Sequence, residues 1–86
     1  MKWNIYKCGS CYFTFTNRGY TGATNSLFKL LEDIRSWGNM LPVYTDPWDG
    51  PLKLFHTFTE KEIQRMPGRA SEIRIYIECK YPKLLK

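Results

Sequence analysis

The residues of this chain best suited to chemistry are three cysteines and one histidine: Cys8, Cys11, Cys79 and His56. Two of the thiols flank a Gly-Ser pair, in the stretch Cys8-Gly9-Ser10-Cys11. Four such donors are the number a tetrahedral zinc ion takes, and thiolate and imidazole are the ligands it favours. Structural zinc sites usually carry two such knuckles, and this chain has one. The same residues have a plainer reading as core side chains, because free cysteine is among the most buried residue types. The expectation is therefore no cofactor and thiols turned inward, with Cys8, Cys11, His56 and Cys79 as the ligand set should zinc bind. A thioredoxin-type dithiol fits less well. That motif sits at a helix N-terminus, which lowers the thiol pKa, whereas YFTFT after Cys11 reads as strand.

His56 is the only acid–base candidate, and its neighbourhood, LKLFHTFTE, supplies no strong nucleophile. An enzyme built on it would be a small basic ribonuclease or toxin, with Arg and Tyr groups gathered at a phosphate. NRGYTG lacks the GK[ST] ending of a phosphate-cradling loop. Asp46 and Asp49 bracket a turn, where aspartate normally bonds its own backbone. No catalytic constellation emerges, and the expected class is non-enzymatic.

Binding is the remaining class. The chain carries 13 Lys and Arg against 8 Asp and Glu, a net charge of +5. That balance permits contact with nucleic acid or an acidic surface without requiring either. Aromatics make up 16% of the residues, enough to furnish both a core and a contact surface. Trp, Tyr and Arg are the usual hot-spot residues of protein interfaces, and aromatics interleaved with cations also suit single-stranded nucleic acid. Trp48, Tyr20, Arg18, Arg69 and Arg74 are the candidate partner-binding residues. The function expected is a stoichiometric regulator or inhibitor of a nucleic-acid-handling complex, of the kind viruses and mobile elements encode. A protein is the first candidate partner, with nucleic acid and a second copy of the chain as alternatives. An odd number of cysteines and the lack of a glycosylation sequon favour a reducing, cytoplasmic setting. No apolar run approaches the roughly 20 residues of a membrane span.

Eighty-six residues make one domain. Residues 2–8 and 11–16 read as a hairpin whose Gly-Ser turn is of type II′, setting Cys8 opposite Cys11 and Tyr6 opposite Phe13. The face with Tyr6, Cys8, Cys11, Phe13 and Phe15 is expected to be the core side; Trp3, Ile5, Lys7, Tyr12, Thr14 and Thr16 face away. Residues 17–23 read as a loop. Leu27, Leu30, Leu31, Ile34 and Trp37 share one stripe of a helix over 26–37, stopped by Gly38. Residues 41–45 read as an edge strand, 46–51 as a turn presenting Trp48, and 52–58 as a strand. Thr59 to Glu62 spells a capping box opening a short helix. Alternation of Ile73, Ile75, Ile77, Cys79 and Tyr81 predicts a last strand over 72–81. The order is ββαββαβ: a single α+β domain with a largely antiparallel sheet, one main helix and one short helix on a face.

Overall fold

The structure is a computed structural model that describes residues 1–45 and 52–85. Four strands, β1 (Lys2–Cys8), β2 (Cys11–Thr16), β3 (Gly19–Thr24) and β4 (Lys53–Thr59), combine with three helices, α1 (Leu27–Trp37), α2 (Glu60–Gln64) and α3 (Ala70–Lys80). The strands form one antiparallel sheet in the order β3-β2-β1-β4, with the helices on one side. The α+β class and antiparallel sheet are as expected.

Gly9 adopts a φ of +60° and, among the described residues, no non-glycine has a positive φ, so the turn uses glycine at its first central position. The hairpin register follows from it, with Cys8 opposite Cys11 and Ile5 opposite Thr14. Residues 17–23 are not a loop: their larger part is β3, where glycines thin the strand signal but leave Tyr20, Thr21 and Thr24 to pack. The expected strand over 41–45 reduces to a single bridge, Tyr44 N–H donating to the Tyr20 carbonyl at 2.8 Å. Pro42 offers that edge no donor.

α1 begins at Ser26, whose hydroxyl accepts from Lys29 N–H, and ends at Gly38 with φ +53°. Leu27, Leu30, Leu31 and Ile34 are buried, while Trp37 is exposed. The capping box is present in full. Thr59 Oγ1 accepts from Glu62 N–H at 3.3 Å and Glu62 Oε1 accepts from Thr59 N–H at 3.0 Å.

Two expectations are corrected. The segment expected as a strand over 72–81 is helix as far as Lys80, with Tyr81 at its cap, and the sheet face that carries the core is the opposite one. Trp3 (2% exposed) and Ile5 (0%) lie inside with Phe58, Leu31, Ile34, Ile73 and Ile77. Both faces of the first hairpin are apolar, so alternation alone does not choose between them. The choice falls to the helix layer, whose aliphatic side chains need the flat Trp3, Ile5 and Phe58 surface. Two threonines on that face bond backbone: Thr21 Oγ1 donates to the Thr14 carbonyl at 3.1 Å, in a buried position, and Thr16 Oγ1 accepts from Arg18 N–H at 3.1 Å. Thr14 Oγ1, by contrast, is buried with no partner among the described residues. α3 docks through Ile73 and Ile77, and Glu32 on α1 accepts from its Ala70 N–H at 2.7 Å. That bond, with a smaller contribution from Lys29, holds the Glu32 carboxyl below its usual value.

Glu62 also closes the far end of the helix layer, where its Oε2 accepts from Tyr81 Oη at 2.6 Å. Burial alone would raise the Glu62 carboxyl; the bonds from Tyr81 and Thr59 outweigh it and lower the pKa. Tyr81 is pushed up to about 12 by burial and by its bond to Glu62. The Glu62 contribution is present above its ordinary value of 4.5 and lost as pH falls. The Tyr81 contribution is present below 10 and lost as pH rises towards 12. Tyr81→Phe should cost about 1 kcal/mol near neutrality. Urea unfolding across pH should find that difference shrinking on both flanks; a difference independent of pH would remove the Glu62–Tyr81 link.

Candidate functional site

With the helices on one side, the other side of the sheet carries the candidate surface, although Phe13 at its centre is itself buried (8% exposed). By register it carries Lys2, Asn4, Tyr6 and Cys8 on β1, Cys11, Phe13 and Phe15 on β2, and Tyr20 and Ala23 on β3. A bulge at Phe55 resets β4. Leu54 and Thr57 therefore face this side while His56 and Phe58 face the helices. Simple alternation over 52–58 would put Leu52, Leu54, His56 and Phe58 on one face, and the bulge separates Leu54 from His56 and Phe58.

The rings on this side touch one another. Tyr6 meets Phe15 edge-on at 5.4 Å between centroids, Phe15 lies 5.3 Å from Tyr20, and Tyr20 lies 6.1 Å from Tyr44. Leu54 is 53% exposed, and Tyr6 and Phe15 are half-buried. Thr57 Oγ1 donates to Asn4 Oδ1 at 2.8 Å, fixing a polar pair between the two strands. Lys2, at one corner, is the only charged side chain among the described strand positions of this face.

The cations lie elsewhere. Lys7 is on the helix side, over the Tyr12 and Phe55 rings. Arg69 is the cap residue of α3, and Arg74 pairs with Glu78 at 3.1 Å along that helix. Lys29 is shared between Glu32 and Asp33, and Arg35 Nε donates to the Met66 carbonyl at 2.9 Å. The structure thus separates the expected partner-binding residues. Tyr20 is on the open face and Arg18 in the adjoining β2–β3 turn, its guanidinium donating to the Asn39 carbonyl. Arg69 and Arg74 belong to the helix layer, and Trp48 lies outside the described residues.

The proposed zinc ligands do not converge. Cys8 and Cys11 sit at the hairpin tip on the open side, His56 projects to the helix side, and Cys79 is exposed on α3. Among the described residues no three His, Cys, Asp or Glu side chains gather where one ion could be held. The inward orientation expected of the thiols is also overturned, since Cys11 and Cys79 are exposed and Cys8 half-buried. Strand alternation had aimed them inward, and both premises changed: the hairpin face is the open one and residue 79 is helical.

His56 stacks edge-on against Phe58 (4.4 Å) and Tyr81 (5.7 Å). Its Nε2 is buried with no hydrogen-bond partner among the described residues. A cleft of about 430 Å³ nearby is lined by His56, Tyr81, Lys80 and Lys83, but a general base must reach its substrate and this nitrogen is sealed from solvent. A second cleft, about 530 Å³, runs between β3 and α1 past Leu30, Asp33, Leu41 and Tyr44.

Compared with known proteins, the chain matches no family model, no curated protein and no solved structure. Among the described residues no helix is long and apolar enough to cross a membrane. The functional reading therefore rests on the surface itself.

Sequence reasoning missed Tyr6, Phe15 and Leu54 as surface residues because it placed their face in the core. One signal could have found them. Trp3 and Ile5 alternate with Lys2 and Asn4, so the more polar start of that strand belongs to the Tyr6 face.

Proposed function

We propose that this chain is a small non-enzymatic binding protein that acts by stoichiometric contact, pressing the open face of its sheet against a protein partner as a regulator or inhibitor. One observation carries the reading: a sheet face rich in aromatic and apolar residues, with a single charge among its described strand positions, opposite a helix layer that holds most of the cations. Interface cores between proteins are depleted in charge and enriched in aromatics. A single-stranded nucleic acid needs rings and cations side by side, since bases stack while the phosphates are neutralised. On this face the rings stand largely without cations, since Lys7 lies over Tyr12 and Phe55 on the helix side and most of the others belong to the helix layer. The contact set becomes Tyr6, Phe15 and Leu54, with Tyr20 at its margin, and Arg69 and Arg74 leave it. The net charge of +5 suits a partner that itself works on nucleic acid, because such machines hold a polyanion nearby.

Affinity capture from the native host, with and without nuclease, tests this. The wild-type chain should retain a protein irrespective of nuclease. Tyr6→Ala with Leu54→Glu should weaken capture about tenfold or more, the effect of losing one hot-spot contact. Arg69→Glu with Arg74→Glu should leave it unchanged. The reverse pattern, loss on charge reversal and release by nuclease, would replace this reading with nucleic-acid binding by the helix layer.

A further inference from the structure

We infer that Cys8 and Cys11 are a single dithiol modification site, which takes small-molecule disulfides of the glutathione class and closes as a Cys8–Cys11 disulfide. The inference rests on the hairpin and is independent of the partner reading. Cys8 and Cys11 are direct cross-strand partners, separated by a two-residue turn with Gly9 at φ +60°. Directly opposed residues project to the same face of a sheet, here the open one. In antiparallel pairs that exchange hydrogen bonds the Cα atoms lie about 5.5 Å apart, within the roughly 4.4–6.8 Å that disulfides span. Cys11 is exposed and Cys8 half-buried, which sets the order of events.

The Cys11 thiolate attacks one sulfur of the small-molecule disulfide, forming a mixed disulfide and expelling one thiolate. The Cys8 thiolate then attacks the Cys11 sulfur, forming the Cys8–Cys11 bond and expelling the second. The protons lost by the two cysteines end on the two released thiols. The two protein thiols are oxidised, and the disulfide reagent is reduced by the same two electrons. Opposed residues hold their Cβ atoms about 4.5–5.5 Å apart, wider than the roughly 3.8 Å a relaxed disulfide prefers. Closing the bond draws the strand ends together, so it belongs to the strained and readily reduced kind. The modification is reversible. Cys79, exposed on α3 in the other layer, has no cysteine opposite it and stops at the mixed disulfide.

The folded chain treated with oxidised glutathione and analysed by peptide mass mapping tests this. The 8–11 peptide should lose two hydrogens and Cys79 should carry one glutathione. Reduced glutathione should reopen the 8–11 bond. Cys8→Ser should leave Cys11 as a stable glutathione adduct, and Cys79→Ser should leave closure of the pair intact. A monosubstituted phenylarsenical, which needs two thiols on one arsenic, should protect both hairpin cysteines from alkylation and spare Cys79. A wild-type chain that keeps glutathione on Cys11 beside a reduced Cys8, or that joins these cysteines only between two molecules, overturns the inference.

Discussion

Phe58→Ala is expected to lower the unfolding free energy by about 3–5 kcal/mol, a large part of the roughly 5–15 kcal/mol that holds a small domain together. Phe58 is fully buried. It faces Trp3 across the β1–β4 ladder, and its ring is flanked by His56 at 4.4 Å and Tyr81 at 5.7 Å. Truncation would open a cavity under three aromatic neighbours beside the α2 cap, where the backbone cannot collapse without disturbing Thr59. Leu54→Ala, four residues earlier on the same strand, is the control. Leu54 is on the open side beyond the bulge, and its loss should stay within about 0.5 kcal/mol. Urea denaturation of both variants, followed by far-ultraviolet circular dichroism, measures the contrast. Comparable losses would mean that the helices do not cover the Trp3 and Phe58 side.

That contrast also marks where the sequence stops being informative. Local chemistry was legible wherever a short motif dictates one geometry. Gly9-Ser10 fixed the hairpin register, the leucine stripe and Gly38 framed α1, and Thr59 with Glu62 opened α2 as a capping box. Each rests on contacts within a few residues. The inward face of the hairpin is different, because it depends on what packs against it. Tyr6, Phe13 and Phe15 are collectively as apolar as Trp3, Ile5 and Tyr12, and the helix layer, through residues such as Leu31, Ile34, Ile73 and Ile77, decides between the two sets. The β4 bulge is likewise invisible locally. It separates Leu54 from His56 and Phe58, which simple alternation would keep together.

The candidate surface was legible as a kind and not as a set of residues. The alternation that turns Trp3 and Tyr12 away from the core implies a partly aromatic outer sheet face, and the structure supplies one from Tyr6, Phe15 and Leu54 instead. Reading 72–81 as a strand puts Arg74 on the sheet among those rings, whereas the segment belongs to α3. Once α3 is placed, Arg69 and Arg74 go with it, and the pairing of rings with cations that made nucleic acid attractive dissolves. The aromatic feature survives that change and the electrostatic one does not.

Ile73→Ala and Ile77→Ala should each cost about 2–5 kcal/mol, the range for emptying a buried isoleucine site. Ile75→Ala should change stability by no more than about 0.5 kcal/mol. The three isoleucines alternate as a strand would have them, and a strand with its inner face buried would make their losses similar. A helix separates them. Ile73 and Ile77, four apart, are fully buried against α1 and the sheet, whereas Ile75 is 62% exposed. Positions four apart share a face in both geometries, so alternation over so few residues cannot distinguish period 2 from period 3.6. The charges could have. Arg74 and Glu78 form an i,i+4 pair at 3.1 Å, a spacing that supports a helix. Glu72 in the first turn and Lys80 in the last complement its dipole. Thermal unfolding of the three variants reads the period directly, since equal losses at 73, 75 and 77 would restore the strand and with it a fifth member of the sheet.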